Sequence, residues 1–144
     1  MSYEIKNLKT FNGMEGKGYN ANLFRDGKKV AELIDSGDGG MVSVREIVFG
    51  EVKRIKQEIS GKFIDLGEDF QNMKVPMDVS SYLSQLVEEF EMKKLCRKYT
   101  LMRFKGDSEG FYRKLSLPFT PEVKAVLFRQ YGDHIIEFIN ERYL

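Results

Sequence analysis

The strongest constraint on the fold is the Asp26-Gly27 pair, which lies between two runs of alternating apolar and polar residues. A type I′ turn needs a positive φ at both central residues, and Asp-Gly is a frequent choice between paired strands. The pair therefore predicts a β-hairpin with two facing pairs on one side, Leu23 with Val30 and Tyr19 with Ile34. Those side chains need a further layer to cover them.

The segments around this hairpin predict an α+β fold in a single domain, residues 1–144, whose weakest point is the segment 67–76. A first strand over residues 3–11, with a phase change near Asn7, completes an antiparallel three-stranded meander. Two amphipathic helices follow, one opening at Ser43 and one running from the cap Asp78 to about Lys98. A short strand is expected at 63–66, between the two helices.

The start at Ser43 depends on two local signals. Ser43 and Glu46 have the spacing of a capping box, and Val42 and Ile47 have that of a hydrophobic staple. Apolar residues then recur at helical intervals as far as Gly61. The pattern therefore predicts a helix over 43–61.

After the second helix, the sequence predicts a second β-hairpin and two short C-terminal helices. The hairpin runs from Thr100, turns at the loop Gly106–Gly110 and returns from Phe111. Thr120-Pro121 is a strong helix start, because a hydroxyl cap precedes a proline at the first helical position. Asp133 is then the predicted cap of the last short helix.

Overall charge argues against bulk electrostatic binding to nucleic acid or membrane, because 23 basic and 22 acidic residues leave a net charge of +1. The sequence contains no apolar run near the roughly 20 residues that a membrane span needs. A single cysteine, Cys96, fits a reducing compartment, and the charged amino-terminal residues do not resemble a signal peptide. We therefore expect a cytoplasmic protein.

Catalytic and metal sites find little support in the composition. His134 is the one histidine and Cys96 the one cysteine, so a dyad would depend on the fold alone and a zinc site of the usual kind lacks ligands. Paired carboxylates such as Glu68-Asp69 are typical of a solvated surface. We predict no catalytic residue, no metal site and no cofactor.

A glycine-rich loop after Ile34 offers an anion-binding hypothesis. Gly37, Gly39 and Gly40 precede the predicted helix start, where free amides could hold an anion. Asp35 and Asp38 add negative charge to the same loop, which favours a structural turn instead.

Charge is segregated along the chain, with acidic residues dominating 63–92 and basic residues dominating 93–114. The basic segment could track a phosphate backbone while its aromatic side chains stack on bases. Two alternatives remain open: pairing with the acidic helix of the same molecule, or contact with an acidic protein. The candidate binding residues are Lys94, Arg97, Lys98, Arg103, Lys105, Tyr112, Arg113 and Lys114.

Three stretches of the amino-terminal forty residues, Lys6–Phe11, Tyr19–Ala31 and Asp38–Gly40, resemble small uncharacterised proteins encoded by tailed bacteriophages and prophages. The resemblance covers less than a third of the chain and assigns no role to any residue. It implies a small accessory gene product in a bacterial cytoplasm, where partner binding and interference with host defence are common roles.

These observations predict a non-enzymatic binding protein, an inhibitor or modulator of a host macromolecule, with a protein partner favoured over nucleic acid. The alternatives are a nucleic-acid-binding module that uses residues 93–114 and a small nucleotide- or anion-binding protein that uses the loop 37–40. A homodimer is also plausible, because Phe49 and Phe128 lie at the edges of their helical stripes.

Overall fold

The computed structural model describes residues 2–108 and 110–143, so Glu109 of the predicted hairpin loop lies outside the described residues. The chain forms two compact units, one ending at Glu88 and the other beginning at Glu89. The boundary falls inside the second helix, whereas the segment 67–76 belongs entirely to the first unit. Helices and antiparallel strands together confirm the α+β class, and the single domain stays a prediction.

The first unit is built on a four-stranded antiparallel sheet with the strand order β1-β2-β3-β4. One side of this sheet is buried, which confirms the predicted meander and adds a fourth strand to it. The elements are β1 (Tyr3–Asn12), β2 (Lys17–Arg25), β3 (Lys28–Asp35), β4 (Ser43–Glu46), α1 (Glu51–Glu58), β5 (Phe63–Asp65), β6 (Lys74–Pro76) and the start of α2 (Val79–Lys98).

The first hairpin has the predicted turn but a different register. Asp26 and Gly27 have φ of 51° and 84°, which are the positive values that a type I′ turn requires. The predicted facing pairs are wrong by one residue, because the register shifts between Leu23 and Phe24. The observed pairs are Leu23 with Ala31 and Tyr19 with Asp35.

The register shift gives Val30 a second role. It makes this residue the extra one of a β-bulge, with no partner residue in β2. The Val30 carbonyl instead accepts hydrogen bonds from the N–H groups of Ile47 (2.9 Å) and Val48 (3.1 Å). The bulge therefore holds the chain between β4 and α1.

The predicted helix start at Ser43 is wrong, because Ser43–Glu46 is strand β4, paired with β3. The helix begins only at Glu51, after Gly50 with a φ of 83° that side chains other than glycine rarely adopt. The predicted capping box is also absent: the Glu46 carboxylate accepts a hydrogen bond from the N–H of Val52 at 2.9 Å. Glu46 thus caps α1 from outside, where Gly50 has no side chain to do so.

Two glycine loops of the first unit pack directly against each other. Gly13 lies between β1 and β2, and Gly37 lies between β3 and β4. A Cβ placed on Gly13 would be 2.5 Å from the Gly37 carbonyl oxygen, closer than real Cβ contacts allow. The two backbones can approach this closely only because neither residue has a side chain.

Replacing Gly13 with alanine should lower the free energy of unfolding by about 2 kcal/mol, because the new methyl group must push the neighbouring backbone away. Urea unfolding followed by circular dichroism measures the loss. Gly40→Ala is the control, because its Cβ would meet only the carboxylate of Asp38, the movable end of a side chain. Equal losses in the two variants would contradict the role of loop packing.

The second unit contains a three-stranded antiparallel sheet with the order β8-β7-β9, which confirms the predicted second hairpin. A core of Met102, Phe104, Leu127, Ile135 and Phe138 packs between this sheet and its helices. The elements after α2 are β7 (Thr100–Phe104), β8 (Arg113–Leu115), α3 (Pro121–Tyr131), β9 (Ile135–Phe138) and α4 (Asn140–Tyr143).

Two of the three side-chain caps proposed for the later helices are confirmed. The Asp78 carboxylate accepts a hydrogen bond from the N–H of Ser81 at 2.7 Å at the start of α2. The Thr120 hydroxyl accepts one from Val123 at 3.1 Å at the start of α3. Each oxygen satisfies a backbone donor that the helix itself leaves unpaired.

The chain after Gly132 differs from the prediction. Asp133 does not cap a helix but lies in a 3-10 turn that leads into β9. Ile135 pairs with Phe104 of β7 and Phe138 pairs with Met102, and both are buried although a register shift lies between the two pairs. The last short helix, α4, begins only after this strand.

Candidate functional site

A buried carboxylate in the first unit is the arrangement that most resembles a reactive centre. Glu51 is 1% exposed, and its Oε1 lies 2.6 Å from Nε of Arg25. The same oxygen accepts a hydrogen bond from the Tyr3 hydroxyl at 3.1 Å. Burial, together with the hydrogen bond to this carboxylate, raises the pKa of Tyr3.

This network joins α1 to the sheet. The carboxylate is enclosed by groups of its own chain, since Arg54 also lies 3.6 Å from Glu51 Oε2. No local sequence pattern points to this network, because Tyr3 and Arg25 are 48 and 26 positions away from Glu51. Its geometry fits a structural ion pair better than a site that meets a substrate.

The two candidates for nucleophilic chemistry lie in unfavourable settings. Cys96 is buried, and burial raises the pKa of its thiol, which disfavours the reactive thiolate. His134 is exposed in the 3-10 turn before β9. In residues 2–108 and 110–143, there is no group of three histidine, cysteine or acidic side chains that could hold a metal ion.

The premise of the anion-binding loop is wrong, because Gly37, Gly39 and Gly40 lead into strand β4 and not into a helix. Two of their N–H groups are also engaged. Gly37 donates to the Asp35 carboxylate and Gly40 donates to the Asp38 carboxylate, each at 2.9 Å. The aspartates thus occupy the donors that an anion would need.

Both arginines of the second hairpin are held by carboxylates of the same unit. Arg103 lies 3.4 Å from Glu137, and Arg113 lies 3.2 Å from Asp107. These contacts also lower the pKa values of the two carboxylates. The hydrogen bond to Arg113 lowers the pKa of Asp107. Hydrogen bonding to Arg142, and then to Arg103, lowers the pKa of Glu137. Neither arginine is presented as an unpaired cation.

Two further predicted residues of this hairpin are engaged by aromatic packing. The Lys114 ammonium lies 4.6 Å from the centre of the Tyr99 ring. Tyr112 is half-buried against the small core of Cys96, Leu101 and Ile139. The face of the hairpin therefore has less free charge than its sequence suggests.

The predicted basic residues that remain unpaired lie mainly on the last turns of α2. Lys94, Arg97 and Lys98 are exposed, as are Lys93 beside them and Lys105 after β7. None of the five has an ion-pair partner among the residues that the structure describes. We call Lys93, Lys94, Arg97 and Lys98 the basic helix end.

Residues 63–76, which we call the acidic hairpin, expose four large apolar side chains. Strand β5 matches the predicted short strand, whereas β6 was expected to be loop. The hairpin contains three acidic residues and one lysine. Its exposed apolar residues are Phe63, Leu66, Phe70 and Met73.

The backbone of the acidic hairpin is ordered by its own hydrogen bonds. Leu66 donates to the Met73 carbonyl at 2.9 Å, which extends the β5-β6 ladder towards the tip. At the tip, Asn72 donates to the Gly67 carbonyl at 2.9 Å, and Gly67 donates to the Asp65 carboxylate at 2.8 Å. The apolar side chains are thus presented on a fixed support.

A second exposed apolar feature of this unit is the turn 47–50, which precedes α1. Phe49 is 99% exposed, and Ile47 beside it is about half exposed at 48%. Lys53 and Lys56 follow on α1, and both are exposed without an ion pair among the described residues. We call residues 47–50 together with these two lysines the cationic turn.

Phe128 is the other residue that was predicted at the edge of a helical stripe. Its ring packs edge-on against the Phe138 ring, and the two ring centres are 5.5 Å apart.

The described part of the chain has no helix that is long and apolar enough to cross a membrane. Comparison with protein-family models, curated proteins and solved structures finds no match to this chain.

Proposed function

We propose that this protein is a non-enzymatic binding protein that docks onto a protein partner through the acidic hairpin. The observation that carries the proposal is the exposure of Phe70 and Met73, each 61% exposed, on a backbone fixed by hydrogen bonds. Large apolar side chains grouped on a surface commonly mark an interaction site. A fixed support also reduces the ordering that binding would require.

The charge of the acidic hairpin favours a protein over nucleic acid. Asp65, Glu68 and Asp69 would repel phosphates, and Lys74 is the one cation among residues 63–76. A protein partner that fits the acidic hairpin should therefore present an apolar site with basic groups at its rim. The resemblance of the amino-terminal residues to phage proteins makes a bacterial host protein the expected target, which binding would inhibit or modulate.

Differential capture tests this proposal. Immobilised full-length protein is incubated with a bacterial lysate, and retained proteins are quantified by mass spectrometry. We expect Phe70→Ser/Met73→Ser to lose at least one partner about tenfold or more, because central apolar residues dominate binding energy. Both side chains are exposed, so the variant should stay folded, which circular dichroism checks.

The matched control is Met14→Ser/Met41→Ser, which removes two exposed methionines from the glycine loops. It should retain the same partners as the wild type. Identical retained proteins for the wild type and the acidic-hairpin variant would contradict the proposal.

Nucleic-acid binding through the basic helix end is a second candidate, favoured by its four exposed cations, which have no carboxylate partner in residues 2–108 and 110–143. Such a cluster could follow a phosphate backbone. The alternative to nucleic-acid binding is a purely structural role, in which these cations stabilise the negative C-terminal end of the α2 dipole.

A fluorescence anisotropy titration with single- and double-stranded oligonucleotides at several salt concentrations decides between the two. If the candidate is right, Lys94→Glu/Arg97→Glu should abolish binding, and affinity should fall steeply with salt. Arg113→Gln is the control, because Asp107 already holds that side chain. Absence of binding at low salt would remove this candidate.

A further inference from the structure

We propose that the acidic hairpin of one copy docks onto the cationic turn of a second copy of this chain. The inference rests on the proposed function, because it takes the acidic hairpin as a protein-docking surface. It adds that, at high protein concentration, a second copy covers the hairpin and competes there with any other partner. Two exposed surfaces of the first unit support this inference. Both contain large apolar side chains, but one also carries acidic residues and the other carries lysines.

The cationic turn has the features of a docking anchor. Phe49 is the most exposed large apolar side chain among the described residues at 99%, and aromatic residues are frequent hot spots of protein interfaces. The backbone around it is fixed, because Ile47 and Val48 donate to the Val30 carbonyl and Glu51 donates to the Val48 carbonyl at 3.3 Å. The backbone that carries Phe49 is therefore ordered by hydrogen bonds before any partner arrives.

The positive charge of this turn is not cancelled by its own acidic neighbours. The Glu46 carboxylate accepts the hydrogen bond from Val52, and Glu51 is buried with Arg25. Lys53 and Lys56 are three residues apart on α1, so they lie on neighbouring positions of one helical face. An apolar anchor beside two free lysines requires a partner surface that is apolar and acidic.

The acidic hairpin has those properties. Near its tip, the exposed apolar residues Phe70 and Met73 lie close in sequence to the exposed acidic residues Glu68 and Asp69. The carboxylates of Glu68 and Asp69 form no ion pair among the described residues. Opposite charges at the rim would orient the apolar contact between two copies.

The pocket at the base of the hairpin is a poorer receptor for Phe49. It has a volume of about 410 Å³ and is lined by the apolar side chains of Ile59, Met77 and Val79. Its lining also includes Lys62 and Lys56, which belongs to the cationic turn itself, so two lysines face the single carboxylate of Asp78. Like charges at an interface are unfavourable, which leaves the acidic hairpin as the complementary surface.

In a twofold dimer, each copy would contribute one acidic hairpin and one cationic turn, and both contacts would form at once. Both features belong to the first unit, so each copy presents them on the same folded body. Raising the salt concentration should weaken the association, because the Debye length falls from about 10 Å at 0.1 M to about 3 Å at 1 M.

Sedimentation equilibrium of the full-length protein over a wide concentration range tests this inference. We expect the wild type to self-associate and Phe49→Ser to weaken the association about tenfold or more. Met14→Ser is the matched control, because Met14 is 96% exposed on another loop, and it should behave as the wild type. A wild type that stays monomeric throughout, or equal association of Phe49→Ser, would overturn the inference.

Charge reversal gives a more specific test. Lys53→Glu/Lys56→Glu makes both features acidic, and Glu68→Lys/Asp69→Lys makes both basic, so each variant alone should be monomeric. An equimolar mixture should associate again, because each acidic feature of one variant then meets a basic feature of the other. A mixture that remains monomeric would overturn the inference.

The capture experiment separates this inference from the proposed function. One outcome is a wild type that is monomeric and still retains a lysate protein through Phe70 and Met73. That result would support the acidic hairpin as a docking surface and contradict its binding to a second copy of this chain. Self-association that depends on Phe49, without any lysate protein that depends on the acidic hairpin, would support the second copy and contradict a host target.

Discussion

Replacing Glu51 with alanine is expected to lower the free energy of unfolding by about 3 kcal/mol, because it leaves Arg25 and Tyr3 without their buried partner. Breaking a buried pair from one side typically costs about 3–5 kcal/mol. The low end applies here, because the Arg25 side chain remains 20% exposed and can turn towards water. Urea unfolding followed by circular dichroism measures the loss.

Hydrogen exchange should locate this effect in the first unit. We expect faster exchange of amides in the strands of the first sheet and in α1, which the Glu51 network joins. Glu58→Ala is the control, because this last residue of α1 makes no ion pair among the described residues and should change stability by less than about 0.5 kcal/mol. Equal losses for Glu51→Ala and Glu58→Ala would contradict the structural role of the network.

Glu51→Gln separates charge from shape. The amide keeps the volume of the side chain and can still accept one hydrogen bond, but it removes the ion pair with Arg25. The free energy of unfolding of Glu51→Gln should therefore lie between that of the wild type and that of Glu51→Ala. A loss as large as that of alanine would assign the whole effect to charge.

Replacing Asn140 with alanine is expected to cost the second unit about 3 kcal/mol, because this fully buried side chain makes three hydrogen bonds to backbone groups. Its Oδ1 accepts from the Leu101 N–H at 2.8 Å. Its Nδ2 donates to the carbonyls of Cys96 at 3.1 Å and Tyr99 at 2.8 Å. Asn140 thereby ties the end of α2 to the start of β7 and to α4.

Asn140→Asp distinguishes lost hydrogen bonds from lost packing. Aspartate preserves the bond to Leu101 but faces the Cys96 and Tyr99 carbonyls with an acceptor, so at neutral pH it should cost at least as much as alanine. Asn20→Ala is the control, because Asn20 is exposed on the first sheet. Thermal unfolding of these variants in parallel provides the comparison. A fully stable Asn140→Asp variant would contradict the assigned donor and acceptor directions.

Local signals in the sequence predicted the elements whose geometry depends on neighbouring residues. The turn at Asp26-Gly27, the caps Asp78 and Thr120 and the phase change near Asn7 are all confirmed. In each case the controlling interaction spans only a few residues, such as a side-chain oxygen that meets a nearby N–H. The periodicity of the long helix α2 was equally informative, because one face of it repeats over many turns.

The sequence was ambiguous where a short apolar pattern fits both a helix and a strand. Val44 and Ile47 continue the helical spacing of α1, yet Val44 lies in a strand because β3 offers Leu33 as its partner. Ile135 and Phe138 likewise lie in a strand paired with β7. A four-residue run contains too little periodicity to decide, so the partner strand decides instead.

The candidate sites show the same division. Sequence composition located the acidic residues of 63–92 and the basic residues of 93–114, but not which charges are paired. Glu137 and Asp107 neutralise Arg103 and Arg113, while Lys94 and Arg97 have no ion pair within the described part of the chain. Phe49 was expected at a helix edge and is instead almost fully exposed on a turn.

The sequence by itself determined the α+β class, the turn at Asp26-Gly27 and the caps Asp78 and Thr120, because these follow from contacts between residues close in the chain. Only the tertiary structure decided the bulge at Val30, strands β4 and β9 and the buried networks of Glu51 and Asn140. Their partners lie tens of residues away, and the energy of burying a polar group depends on which distant atoms meet it.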